Sequence, residues 1–250
     1  MPRLGMGTWH MGEDASRRAS EVAALQLGLD LGLDLIDTAE MYGDGGAEEV
    51  VGEALRGRRE AAFVVSKFYP HNASRRKLVA ACEASLERLR IARLDLYLLH
   101  WRGSVPLEET VETLESLVAA GKIARWGVSN FDVEDIRELT RVPAGDRVAA
   151  DQVLYNLARR GIEFDLLPLC NASRIEVMAY SPLDEGALAR HPALAAVAGR
   201  VGASAVQVAI AWLLQRPGVC VIPKASRAEH VRANAAAREI KLDSAALEII

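Results

Sequence analysis

The feature of this 250-residue chain that most restricts its fold is an eightfold alternation of short apolar runs with longer amphipathic segments. The runs are Leu4 to Thr8, Leu33 to Asp37, Ala62 to Lys67, Leu94 to His100, Ile123 to Ser129, Val148 to Leu154, Ile175 to Tyr180 and Val219 to Pro223. Each is short, rich in branched residues, and reads as a strand. Segments with helical spacing follow them at Ser16 to Leu31, Glu48 to Leu55, Val133 to Thr140, Phe164 to Ser173, Ala203 to Gln215 and Arg227 to Ala237. Two more carry clear apolar stripes, Leu78, Cys82, Leu86 and Leu89 in one and Val111, Leu114 and Leu117 in the other. Ser74 is placed to cap the first of these. Pro106, Glu108 and Glu109 open the second and Gly121 closes it.

Strands that are apolar on both faces, each followed by a helix, build a parallel sheet with helices over it. Eight such units close into a (β/α)8 TIM barrel, and 250 residues is the usual length of one. An open doubly wound sheet would carry a GxGxxG or GxxxxGK[ST] turn, and neither occurs. No Pro/Gly/Ser-rich linker interrupts the pattern, so the expectation is one α/β barrel domain over residues 1–250.

Half of the residues are hydrophobic and 26% are charged, which suits a sizeable core and excludes a disordered or collagen-like chain. The formal net charge is -4, the reverse of a nucleic-acid surface, and the small basic clusters at Arg56, Arg58 and Arg59 and at Arg75, Arg76 and Lys77 read as solvated helix ends. No apolar run reaches the ~18 residues of a membrane span, and the first residues lack a secretion signal. Cys82, Cys170 and Cys220 lie too far apart for a disulfide framework or a zinc site and read as reduced core residues. The expectation is a cytoplasmic protein with no nucleic acid, membrane or metal partner.

In a barrel the chemistry sits at the C-terminal ends of the strands, and here that row is polar. It comprises Asp37 with Tyr42 in the next loop, Lys67, His100, Ser129 and Asn130, Gln152 and Asn156, Tyr180 and Ser181, and Lys224. An acid, a phenol, a lysine and a histidine at one mouth suit proton transfer. A tyrosine ionises near pH ~10, and a neighbouring cation favours its phenolate. Lys67 can supply that cation, with Asp37 keeping it charged, and His100 can hydrogen-bond a carbonyl oxygen. The set suits carbonyl reduction, Tyr42 protonating the developing alkoxide while a cofactor brings the hydride. Ser74 to Lys77 matches SxxK, but its SDN and KTG companions are absent and it reads as a helix cap.

At these residues the chain resembles the aldo-keto reductase superfamily, a group of (β/α)8 oxidoreductases that use nicotinamide cofactors without a Rossmann domain. The resemblance runs through GMGTW at Gly5, IDTAEMYG at Ile36, VSK at Val65, DLYLLHW at Asp95, GKIARWGVSNF at Gly121, DQVLYN at Asp151, AYSPL at Ala179 and IPKAS at Ile222. It implies that Asp37, Tyr42, Lys67 and His100 are the catalytic tetrad. It also implies that Ser129, Asn130 and Gln152 bind the nicotinamide carboxamide and that Tyr180 stacks on the ring. Ser181, Leu183, Lys224, Ala225, Ser226, Arg227 and Asn234 then hold the pyrophosphate and adenosine.

Many NADPH-specific members carry an arginine six residues after the lysine and then a Glu-Asn pair; here those places are His230, Ala233 and Asn234. Lys224, Arg227 and Arg232 still offer cations for a 2′-phosphate, so the resemblance points to NADPH, with NADH as the alternative. Both ends depart from the family, with a shortened N-terminal hairpin, which would expose apolar residues at the barrel bottom, and a shortened C-terminal loop, which would open the substrate pocket. Trp9, Met41, Phe68, Tyr69 and Trp101 flank the strand ends and read equally as core residues or as pocket walls, with Trp9 and Trp101 favoured for the pocket because each sits at or beyond a strand end.

The segments DLYLLHWRGSVPLEET and LYNLARRGIEFDLLPLC are most similar to bacterial members that reduce small aldehydes and 2-oxoaldehydes such as methylglyoxal. The implied partner is a small-molecule carbonyl substrate, and the implied state is a monomer. The competing reading is a non-catalytic, cofactor-binding regulatory subunit of the same fold. A hydrolase built on His100, Asp37 and Ser129 lacks the GxSxG elbow.

Overall fold

A computed structural model describes residues 1–250. The strands are β1 (Gly5–Gly7), β2 (Leu35–Asp37), β3 (Phe63–Phe68), β4 (Leu96–Leu99), β5 (Trp126–Ser129), β6 (Ala150–Leu154), β7 (Glu176–Tyr180) and β8 (Val219–Val221). Each pairs in parallel with the next. The ring closes where Leu4 bridges Val221 and Gly7 bridges Lys224, with the Gly7 N–H donating to the Pro223 carbonyl at 3.1 Å. The expected barrel is present, with every strand inside the span read from the sequence except β3, which runs on through Phe68.

The helices are α1 (Arg18–Asp30), α2 (Gly46–Ala54), α3 (Arg75–Leu89), α4 (Leu107–Ala119), α5 (Val133–Leu139), α6 (Leu166–Ser173), α7 (Pro192–Val201), α8 (Ala205–Leu214), α9 (Ala228–Ala236) and α10 (Ser244–Leu247). Two depart from the eight-unit reading. The alanine-rich α7 buries only Leu194, Val197 and Ala198, a stripe too short to stand out in the sequence, and α10 is a single turn. Ser74 does stand at the N-cap of α3, yet its side chain makes no capping bond. The Arg75 N–H donates instead to Glu109 of α4 at 2.9 Å, so a neighbouring helix satisfies the end. No single helix is long and apolar enough to cross a membrane.

Side chains alternate across each strand, and the inward set stacks in the barrel: Leu35, Val65, Leu96, Leu98, Ala150, Met178, Cys220 and Ile222 form one buried cluster. The outward set meets the helices in a larger core reaching from Leu4 to Ala246. Gly127 marks a place where the barrel interior has no room for a side chain, since a Cβ there would lie 2.5 Å from the Ala150 carbonyl oxygen. At the bottom, half-buried Met1 and Phe63 pack against the inner cluster, and the Arg125 guanidinium lies 5.1 Å from the Phe63 ring centroid. The exposed large apolar residues are Trp9, Trp101, Phe164 and Ile249. All three cysteines are buried and free, and burial pushes the Cys82 and Cys170 thiols up to about 12.

Candidate active site

The site follows from strand parity. Two residues beyond an inward apolar residue the next inward position is reached, and at the top of the barrel that position is polar each time. Leu35 leads to Asp37, Val65 to Lys67, Leu98 to His100, Ala150 to Gln152, Met178 to Tyr180 and Ile222 to Lys224. The same parity turns Phe68 away from the mouth. It is fully buried on the helix side, 5.0 Å from the Tyr97 ring, so of its two readings, core and pocket wall, the core one holds.

Lys67 is fully buried, and its ammonium finds three acceptors: Asp37 Oδ2 at 2.8 Å, the Thr38 carbonyl at 2.9 Å and the Tyr42 hydroxyl oxygen at 3.1 Å. Burial alone would lower its pKa, but Asp37 and Tyr42 outweigh that and hold the ammonium above the ordinary lysine range. Tyr42 is also shifted upward. Burial raises it more than Lys67 lowers it, so the expectation that the lysine brings this phenol down is corrected for the free protein. The phenol is protonated at neutral pH. Because its oxygen accepts from Lys67, its own proton is free to point elsewhere.

His100 meets the Tyr42 ring edge-on, with ring centroids 5.8 Å apart. Burial, helped by the Lys67 charge, lowers its pKa to about 3, so the imidazole is neutral. Its Nδ1 is buried without a partner.

The second oxygen of Asp37 accepts from Gln152 Nε2 at 2.7 Å, which links the tetrad to β6. Ser129 Oγ donates to the Gln152 carbonyl at 2.7 Å. Asn130, in the left-handed region at φ 58°, donates to the His100 carbonyl at 3.0 Å and to Ser129 Oγ at 3.1 Å, and it accepts from the Tyr180 hydroxyl at 2.9 Å. Asn156 anchors the next loop by donating to the Ser181 carbonyl at 2.8 Å. Ser181 and half-buried Leu183 follow β7, while exposed Lys224, half-buried Ala225 and Ser226, and exposed Arg227 follow β8; Asn234 is buried on α9.

This donor set fits a nicotinamide dinucleotide. Two side-chain amides and a hydroxyl complement a carboxamide, the half-buried Tyr180 ring stands beside them, and the loop after β8 carries cations for phosphate. Gln152 keeps Oε1 free to accept a further hydrogen bond, since its protein contacts run through Nε2.

An aromatic wall stands over the tetrad. His100 lies 4.9 Å from Trp101, Trp101 meets Tyr69 edge-on at 5.9 Å, and Tyr69 stacks on His71 at 4.8 Å. Trp9 and Trp101, at 43% and 37% exposure, open to solvent at the mouth, whereas Met41 is half-buried. Sequence reasoning missed Glu40. Its Oε1 accepts from the Tyr69 N–H at 2.7 Å and from Asn72 Nδ2 at 2.9 Å, tying the segment that carries Tyr42 to the wall. A carboxylate two residues before the phenol was the available signal, but its partners lie on another loop.

The model of the aldo/keto reductase family matches residues 3–250. The chain is 54% identical to the methylglyoxal reductase YeaE of Escherichia coli (strain K12), over 100% of this chain and 90% of that protein. It is 34% identical to a glyoxal reductase of Bacillus subtilis (strain 168), over 94% of this chain and 82% of that protein. In three dimensions it superposes with a TM-score of 0.98 on an aldo/keto reductase from Klebsiella pneumoniae in complex with NADP and acetate, at 52% identity over 99% of this chain and 89% of that one. The regulatory reading has no counterpart in these names.

Proposed function

The chain belongs to the aldo/keto reductase family, and from that premise we propose that it reduces small reactive carbonyls of the 2-oxoaldehyde type, with NADPH as reductant and Asp37, Tyr42, Lys67 and His100 as the catalytic residues. The activity of the chain is NAD(P)H-dependent carbonyl reduction. One observation carries the assignment of roles: Lys67 spends its whole ammonium on Asp37, Thr38 and Tyr42, beside a neutral histidine.

Ser129, Asn130, Gln152 and Tyr180 would hold the nicotinamide, and Ser181, Leu183, Lys224, Ala225, Ser226, Arg227 and Asn234 the rest of the dinucleotide. Bound there, the cofactor supplies the hydride to the carbonyl carbon. The protein supplies the rest. Tyr42 and the neutral His100 hydrogen-bond the carbonyl oxygen and fix it in the mouth. Tyr42 then gives its proton to the developing alkoxide, and Lys67 stabilises the phenolate left behind. Asp37 keeps Lys67 charged and is itself held by Gln152, so the ammonium does not reorient during the step. Trp9 and Trp101 would cover the substrate and limit water.

A small substrate suits an aromatic wall this close to the tetrad, and the likeness to methylglyoxal and glyoxal reductases favours the same choice. Free, buried cysteines favour a reducing cytoplasm, the few exposed large apolar residues, two of them at the mouth itself, favour a monomer without a membrane partner, and the net charge of -4 speaks against nucleic acid. The test is to titrate the purified protein with NADPH and NADH by fluorescence quenching, then to add methylglyoxal or an aromatic aldehyde and follow the reduced-cofactor absorbance. Tight binding with oxidation on methylglyoxal supports the proposal. Binding with oxidation on the aromatic aldehyde alone refutes the substrate, and binding without turnover refutes the catalytic roles.

A further inference from the structure

A cleft of about 660 Å³ lies between the first two turns of α1 and the start of α9, lined by Arg17, Ser20, Ala23 and Ala24 on one side and Ser226, Arg227 and Ala228 on the other. We infer that Arg17, the N-cap residue of α1, faces Arg227 across this cleft as a second cation for the 2′-phosphate of an adenosine 2′-phosphate dinucleotide. The inference rests on the cofactor reading above and extends it to a residue on a different helix from the segment after β8.

Two features support it. The wall formed by Ser226 and Arg227 continues directly from Lys224 and Ala225, so a dinucleotide that enters over the tetrad and runs along the loop after β8 arrives at this cleft. The cations are also available. Arg17 is 72% exposed and only loosely paired, its Nε 3.4 Å from Asp14 Oδ2, and Arg227 is 73% exposed with its nearest carboxylate oxygen, on Glu229, 3.8 Å away. Both carboxylates are open to water, so a phosphate dianion entering between the two guanidiniums displaces only solvent-screened pairs.

The geometry also accounts for the missing arginine. At the place where the resemblance calls for one, the exposed His230 is turned to Glu229, 3.6 Å from its carboxylate. Arg17 restores the arginine's charge from across the cleft. A guanidinium pair grips a phosphate through two-pronged hydrogen bonds that a ribose hydroxyl cannot replace, so the gain falls on NADPH alone.

The experiment measures dissociation constants of NADPH, NADH and adenosine 2′,5′-bisphosphate for wild type, Arg17→Ala and Arg17→Lys, by fluorescence quenching or calorimetry. The exposure of Arg17 lets the variants fold, which a thermal melt checks. The expected result is an about tenfold rise in the NADPH and bisphosphate constants for Arg17→Ala, partial recovery in Arg17→Lys, and an unchanged NADH constant. Equal weakening of NADPH and NADH, or no change in either, overturns the role of Arg17 while leaving the cofactor reading in place. Wild-type protein that binds neither dinucleotide overturns the cofactor reading and this inference together.

Discussion

Lys67 Nζ lies 3.1 Å from the hydroxyl oxygen of Tyr42, and its other two hydrogen bonds go to Asp37 and the Thr38 carbonyl. An ammonium with no donor left for water acts as a fixed positive charge against the oxygen that, in the proposed proton transfer, becomes negative. The upward shift of Tyr42 in the free protein fits this arrangement, because the proton stays on the phenol until charge develops next to it.

Replacing Tyr42 with Phe removes the proton and leaves the ring. Turnover should fall by about 10²–10⁴-fold, the usual worth of a positioned acid, while NADPH affinity stays within about a factor of two. Steady-state kinetics on methylglyoxal and a fluorescence titration of the same preparation check both halves. Turnover at the wild-type rate would remove Tyr42 from the acid role.

Glu40 gives a different signature because its carboxylate touches the wall segment and not the reacting atoms. Glu40→Ala frees the Tyr69 backbone and should raise KM by about tenfold with kcat little changed, the loss expected when hydrogen bonds to a charged acceptor are removed. Glu40→Gln keeps an acceptor oxygen and should recover most of the affinity. If both variants lower kcat and leave KM alone, Glu40 does not act through the wall.

The barrel and three of the four candidate catalytic positions were legible in the sequence for one shared reason, while Tyr42 lies in the loop beyond β2. A strand buried on both faces is an uninterrupted apolar run, and the polar residue that ends it marks the mouth. Asp37, Lys67 and His100 were each found that way. Features that depend on two distant segments left no such mark. The Glu109 cap on α3, the Glu40 link to Tyr69 and the Arg17 wall of the cleft pair residues whose chain separation hides them. Phe68 stayed open between core and pocket because nearness to a strand end does not by itself give the parity, and α7 was missed because alanines blur a helical stripe.

Gly127 tests the packing inside the barrel. A Cβ there would press on the Ala150 carbonyl oxygen at 2.5 Å and on Leu98 Cδ2 at 2.9 Å, and the first of these is backbone that cannot swing away. Gly127→Ala should therefore destabilise the fold by about 2 kcal/mol or more, as overpacking of a filled core does. Urea unfolding measures it, and a wild-type midpoint would show that β5 and β6 have room to separate.

Asp151 makes the fold lose stability as pH rises toward about 8. Its side chain is fully buried; Oδ1 accepts only a long 3.5 Å bond from the Phe131 N–H, and Oδ2 has no partner. Burial raises its pKa to about 8, against about 3.9 in an unfolded chain. Between those values the folded protein keeps a proton that the unfolded chain releases, so stability falls as pH rises through the window. His100 has the opposite sign. Its folded value of about 3 lies below the ~6.5 of a free imidazole, so its contribution is complete above pH ~6.5 and is lost on acidification. The two slopes oppose each other between pH ~4 and ~6.5, and from there to about pH 8 the loss belongs to Asp151 alone. Asp151→Asn removes that proton while keeping the shape. The variant should gain about 2 kcal/mol on wild type between pH 6.5 and 8, or about 4–8 °C in Tm. The difference between the two melting curves isolates Asp151 because every other group titrates equally in both. Parallel curves across that range would mean that Asp151 is ionised in the folded protein and that a partner for Oδ2 forms in solution.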